Sequence, residues 1–270
     1  MSVNEEEKEM SFLGHLEELR WRLVRSSSVI IVAAITIFYF TDPIVNHVYL
    51  AMSKTDFLTY RFFCWLSNSF GLSDILCAND IPIQIQSIEM TKQFSTNMYF
   101  ALIGGLVISF PFTFYQLWTF VKPGLKSQEI KITKGVVLNA SLLFFTGIFF
   151  GYYMISPLCV QFFGGYKLTD EIQNNFTISS YMSMITTSTF LSGLFFELPV
   201  VMYLLTKLGI LSSRVLKKYR KHALVVILIL SALITPPDVI SQLLVTIPIY
   251  LLFELGVLVT SKVEKQKNKE

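Results

Sequence analysis

The sequence predicts an all-α integral membrane protein with six transmembrane helices and both termini in the cytoplasm. Three observations lead there. Only 15% of the residues are charged and 53% are hydrophobic, with a mean hydropathy of +0.55, whereas a soluble domain carries about 25% charged residues. The apolar residues gather into long runs free of charge, and the charges fall at their ends. The 22 lysines and arginines are distributed unevenly over the connections, which sets the orientation. A formal net charge of +3, scattered along the chain, argues against a nucleic-acid partner. No stretch calls for a soluble domain, so 1–270 reads as a single membrane domain.

The first element is a cytoplasmic amphipathic helix within 1–22. Phe12, Leu13, Leu16, Leu19 and Leu23 recur at three- and four-residue spacing, and the other face carries Glu17, Glu18, Arg20 and Arg22. Ser11 is placed to cap it. The acidic, polar start and the lack of a small-x-small cleavage site after Phe40 read as an uncleaved first span, not a signal peptide. Span one runs from about Leu23 to Phe40, near the lower limit of the ~17–25 residues that cross a bilayer core.

A long external loop, 42–93, follows. It has breakers at Asp42-Pro43 and Ile81-Pro82, dense aromatics from Phe57 to Phe70, and alternation over Ile81–Ile88 that admits a short extended stretch. Span two fills the uncharged run between Lys92 and Lys122, with Pro111 inside. The first cytoplasmic loop is 122–134. The uncharged run from Lys134 to Lys167 is too long for one upright helix, so span three is set at Gly135–Pro157 with an interfacial extension to Gly165. Asp170–Asn175 reads as a loop. Span four is Tyr181–Leu205, with Glu197 and Pro199 inside, and a basic cytoplasmic loop, 207–222, follows. Thr235-Pro236-Pro237-Asp238 cannot continue a helix. It makes a hairpin between two short spans, five (Ala223–Thr235) and six (Val239–Thr260), leaving 261–270 as a cytoplasmic tail. Span five is well short of the ~30 Å core and predicts a thinned bilayer beside it.

On the side away from the termini the only basic residues are Lys54, Arg61, Lys92 and Lys167. That places both termini in the cytoplasm. The external loop then lies in a compartment that permits a disulfide between Cys64 and Cys77, with two buried thiols as the alternative. Pro111, Pro157, Pro199 and Pro248 each remove a backbone hydrogen bond and favour bent helices that enclose a concavity.

Few residues could carry chemistry. Glu197 sits near mid-bilayer, where a carboxylate costs at least ~2.5 kcal/mol. It reads as a proton relay, a contact for a polar group of a partner helix, or a protonated glutamate bonded to the carbonyl that Pro199 frees. Glu254 lies nearer the interface and admits a structural or a functional role. Asp238 caps span six, and Thr235 and Gln242 complete a polar cluster at the hairpin. Glu18 is spaced to pair with Arg22, for about 0.2–0.5 kcal/mol. It could instead converge with Glu129 on a cationic ligand, for which arginine, held by parallel hydrogen bonds, is the fitting chemistry. No catalytic motif is present, and His15, His47 and His222 are too scattered to hold one metal. The expectation is therefore no enzyme, no cofactor and no metal.

Four blocks resemble the TatC family, the multi-span receptor subunit of the twin-arginine protein translocase. They are Phe12-Leu13-x-His15-Leu16-x-Glu18-Leu19-Arg20; Pro111-x-x-x-Tyr115-Gln116-x-Trp118-x-Phe120-x-x-Pro123-Gly124-Leu125, with Glu129 following; Phe196-Glu197-x-Pro199-Val200; and Leu233-x-Thr235-Pro236-Pro237-Asp238-x-x-Ser241-Gln242, running on to Pro248 and Phe253-Glu254-x-Gly256. The resemblance implies a cupped protein of a bacterial inner membrane that binds twin-arginine signal peptides of folded cargo through Glu18 and Glu129, with Arg20 and Phe120 beside them. It implies Glu197 on the concave face, docking of TatA and TatB (or a bifunctional TatA) near Thr235, Gln242 and Glu254, a homo-oligomeric receptor complex, and transport driven by the proton-motive force. The long loop 42–93 departs from the family's shorter pattern. A proton-coupled small-solute transporter using Glu197 is the competing class, but such folds show internal repeats with paired broken helices, and none is visible here.

Overall fold

The computed structural model describes residues 12–69, 84–121, 135–169, 174–235 and 239–267. The first helix, α1, runs Phe12–Tyr39 without interruption. The expected interfacial helix and first span are thus one element, because nothing between Arg20 and Leu23 breaks helical geometry. It packs most extensively on the second span, α4 (Lys92–Val121), and the two run antiparallel. Their contact is close at Gly105, where a Cβ would lie 2.7 Å from the backbone nitrogen of Ala34. Small residues let membrane helices approach this way.

The loop from 42 onward folds into a cap. A turn of helix, α2 (Thr41–Ile44), passes into a π turn (Val45–Tyr49) and a 3-10 turn (Leu50–Ser53), and then into α3 (Leu58–Ser69). The extended stretch appears as β1 (Gln84–Gln86), parallel to β2 (Asn175–Thr177). The predicted loop 170–175 therefore ends in a strand at Asn175. Cys64 in α3 is disulfide-bonded, and Cys77 lies outside the described residues.

The cap is fastened to spans three and four by tyrosines. Tyr49 shares a hydrogen bond with Thr186 at 2.7 Å, Tyr181 donates to the Tyr49 carbonyl at 2.8 Å, and the Tyr60 hydroxyl lies 3.3 Å from the Pro157 carbonyl of span three. Burial pushes the Tyr49 hydroxyl up to about 12 and raises that of Tyr60 as well, so both stay protonated donors.

Span three is a continuous helical rod: α5 (Val136–Phe150), a π turn (Gly151–Ile155) and α6 (Ser156–Gly165). It runs through Pro157 without a break and ends at Gly165, where the expected extension ends. A proline lacks the N–H that would bond four residues back, which leaves the Tyr153 carbonyl to be satisfied otherwise. Thr59 of the cap donates to that carbonyl at 2.5 Å.

Span four is broken into α7 (Ile178–Phe196) and α8 (Leu198–Lys207) at Glu197. The Glu197 N–H still donates back to Leu194 at 3.1 Å, while its carbonyl accepts from Val200 and Val201, both at 3.0 Å. One residue ends the first helix and starts the second, with Pro199 in the new first turn where its missing N–H costs nothing. Spans three and four pack closely at Gly147, where a Cβ would lie 2.8 Å from the Gly193 Cα.

The basic loop contains a short helix, α9 (Ser213–Lys218), and α10 begins at Arg220, earlier than expected, running to Ile234. At 15 residues it is about 22 Å long, so the fifth span is short as predicted. The sixth is not. The last helix, α11, covers Val239–Lys267, 29 residues, and absorbs most of the expected tail. It can be longer than its hairpin partner because its C-terminal half packs on α8 and α9 instead. Thr206 donates to Thr260 at 3.1 Å, and Glu264 accepts the Ser213 N–H at 2.9 Å.

Among the described residues, five helical segments are long and apolar enough to cross a membrane: Leu16–Tyr39, Lys92–Val121, Val136–Gly165, Ile178–Lys207 and Ser241–Lys265. The solvent is written in the burial pattern. Ser156, Ser231 and Thr260 are fully buried, while Ile35, Leu233 and Val239 are more than half exposed. Small polar residues inside and large apolar ones outside fit a hydrocarbon surround.

Candidate functional site

Because α1 and α4 are antiparallel, the start of α1 meets the end of α4. Glu18 sits there as an intermediate-exposure side chain, whereas Glu17 and Arg20 are exposed. The predicted pair forms: Arg22 Nε donates to Glu18 Oε1 at 3.0 Å, and Arg22 Nη2 bonds the same oxygen. Arg22 also faces α4, its Nη1 lying 3.4 Å from Gln116 Oε1 and 3.5 Å from the Gln116 carbonyl. Gln116 is 7% exposed. Glu18 Oε2 is buried and accepts no hydrogen bond among the described residues. Such an oxygen costs more than a missing hydrogen bond alone, since the group is desolvated without recompense. Phe120 lies one turn beyond Gln116, near the end of α4. Glu129 lies outside the described residues.

Glu197 is 7% exposed, and among the described residues its two buried carboxyl oxygens make no hydrogen bond of standard geometry, only a looser contact with the Phe144 backbone. The reading in which it bonds the carbonyl freed by Pro199 is therefore not what the fold adopts. Two residues on, Pro199 and Val200 line a cavity of about 480 Å³ with Asn139, Leu142 and Tyr203. One turn before Glu197, a Cβ at Gly193 would lie 2.9 Å from the Phe144 ring. That ring stacks on Phe110, with centroids 3.7 Å apart.

Glu254 is fully engaged. Arg220 Nη2 donates to Oε2 at 2.6 Å, and the Tyr250 hydroxyl donates to Oε1 at 3.1 Å. At the other end of the same hairpin, Thr235 is buried and bonds the Ser231 carbonyl at 2.9 Å. Gln242 Nε2 crosses from α11 to the Leu228 carbonyl at 3.2 Å. Pro236, Pro237 and Asp238 lie outside the described residues, so the expected cap is not seen. Among the described residues, no group of His, Cys, Asp and Glu is arranged to hold a metal.

Among the described residues the structure keeps apart what the sequence analysis keeps apart: Glu18 near the start of α1, Glu197 at the break in span four, and the polar residues Thr235 and Gln242 at the hairpin. Sequence reasoning misses Gln116 and Arg220 as partners. Gln116 stands inside the block that begins at Pro111, but nothing in its spacing ties it to Arg22. Arg220 reads in the sequence only as a loop charge.

A family model described as "Sec-independent protein translocase protein (TatC)" matches residues 14–248. The chain is 35% identical to a Sec-independent protein translocase protein TatC of Blattabacterium sp. subsp. Periplaneta americana (strain BPLAN), over 98% of this chain and 100% of the relative. It is 33% identical to the TatCy protein of Bacillus subtilis (strain 168), over 100% of this chain and 94% of the relative. Among solved structures, the crystal structure of a twin arginine translocase receptor, TatC, aligns with a TM-score of 0.67 and 26% identity, covering 92% of this chain and 98% of that one.

Proposed function

The chain belongs to the TatC family of Sec-independent protein translocase proteins, and on that premise we propose that it is the receptor component of twin-arginine protein transport. It is a multi-pass membrane protein of a transport family, with no catalytic chemistry called for. Folded cargo is recognised by its twin-arginine signal peptide at the cytoplasmic carboxylate site. Glu18 and Glu129 receive the guanidinium groups, and Arg20 and Phe120 border the site. The complex is completed by single-span partners of the TatA and TatB type, or a bifunctional TatA, docked near Thr235 and Gln242, and the proton-motive force drives the passage. Glu197 offers a polar contact or proton-accepting group within the membrane.

The observation that carries this reading is Glu18 Oε2 near the start of α1, a desolvated carboxylate oxygen without a donor among the described residues. Charge-assisted hydrogen bonds from a guanidinium are about twice as strong as neutral ones, so a peptide arginine gains most at such an acceptor. The test is export of a folded reporter by the double variant Glu18→Ala, Glu129→Ala, with a photocrosslinking signal peptide as the binding probe. The variant inserts normally and loses both crosslinking and export. Normal export would overturn the receptor assignment.

A further inference from the structure

Resting on the receptor reading, the arrangement around Glu18 contains one more feature. The site already holds an arginine. An exposed arginine and a carboxylate pair best as two parallel bonds, one to each oxygen. Arg22 does not do this. Its Nε and Nη2 both bond Oε1, and the buried Oε2 accepts nothing from the described residues. The Arg22 side chain is 16% exposed against 26% for that of Glu18, and the remaining edge of its guanidinium is turned to the buried Gln116 on α4. It is wedged between two helices that pack along their whole length, so its place is set by the fold and not by the carboxylate.

We propose that Arg22 is a positioning residue of the signal-peptide site: wedged against Gln116, it ties down Oε1 of Glu18 and leaves Oε2 as the single oxygen offered to an incoming guanidinium. Two consequences follow from the charges. The Glu18–Arg22 pair is neutral, so an approaching cation gains little from long-range attraction and must be read by directional bonds at Oε2. A guanidinium is more weakly hydrated than a compact ammonium, so it gives up less solvation to bond a single buried oxygen. The pair therefore makes the site select arginine over lysine, and makes binding only weakly dependent on salt. Without Arg22, Glu18 becomes a bare, freely turning anion that attracts either cation.

The experiment uses the full chain in membranes with two crosslinkable signal peptides, identical except for Arg-Arg or Lys-Lys at the paired positions. In the wild type the Arg-Arg peptide is preferred. In Arg22→Gln the preference falls about tenfold, the equivalent of one charge-assisted bond, and binding becomes more salt-dependent. Arg22→Lys restores the charge but cannot span both Glu18 and Gln116, and gives an intermediate preference. This variant also serves if Arg22→Gln accumulates poorly. An unchanged preference, with both peptides weakened in parallel or not at all, would show that Arg22 only packs the helices. Tighter Arg-Arg binding with the preference kept would make it a blocker. Either result overturns the proposal. If instead Glu18→Gln, with Arg22 intact, leaves Arg-Arg crosslinking unchanged, it is the receptor reading that fails.

Discussion

Three carboxylates at membrane depth or at its edge differ in how many of their oxygens the fold satisfies. Glu254 has both engaged, by Arg220 and Tyr250. Among the described residues, Glu18 has one engaged and one without a donor. Glu197 has neither in a hydrogen bond of standard geometry, only a looser contact with the Phe144 backbone. The grading separates roles that residue type alone does not. A saturated carboxylate stabilises its own helix pair and has nothing left to offer. An unsaturated one is a cost carried by the fold, and such costs are retained where a ligand or partner repays them.

The largest expected effect breaks the comparison at Glu18. Glu18→Ala lowers signal-peptide binding by about a hundredfold, the scale on which removing one charged hydrogen-bond acceptor weakens a complex, with membrane accumulation unchanged. Quantitative crosslinking normalised to protein level checks it. The next concerns Glu197 and has the opposite sign for stability. Glu197→Leu removes an unpaired carboxyl from the membrane interior and stabilises the fold by about 2–3 kcal/mol, raising the thermal midpoint in detergent while export falls. A lowered midpoint would mean that Glu197 is already satisfied, and the grading would collapse.

Much of this fold is legible in the sequence because its signals are local. Uncharged runs mark the spans. Thr235 to Asp238 announces the hairpin, and the alternation near Ile85 announces β1. What is not legible depends on which helices meet. Nothing in the order of residues says that α11 outlasts α10 by packing on α8 and α9, or that a helix survives Pro157 because Thr59, far away in sequence, caps the freed carbonyl. The same limit applies to the site. The spacing of Glu18 and Arg22 announces their pair, but the bare Oε2 appears only once Gln116 is brought alongside from α4.

At the saturated end of the comparison the effects are smaller and purely structural. Glu254→Leu leaves Arg220 without its partner. The pair is partly exposed, Arg220 at 44% and Glu254 at 26%, so the loss is about 1–2 kcal/mol, below that of a fully buried pair. The thermal midpoint in detergent drops, while export per molecule stays near normal. A loss of export without loss of stability would instead put Glu254 with the partner-docking residues.

The smallest effect tests whether an external hydroxyl holds the cap on span three. Thr59→Val keeps the shape of the side chain and deletes the donor to the Tyr153 carbonyl. An orphaned carbonyl costs about 1–3 kcal/mol when water cannot reach it, and less at this membrane edge, where relaxation admits water. The expected sign is faster protease cleavage in the cap from the external side, with signal-peptide binding unaffected, because the carboxylate site lies at the opposite end of the helices. If cap cleavage is unchanged, the tyrosine bonds of Tyr49, Tyr60 and Tyr181 suffice to hold it. The carbonyl opened by Pro157 is then met by solvent and not by Thr59.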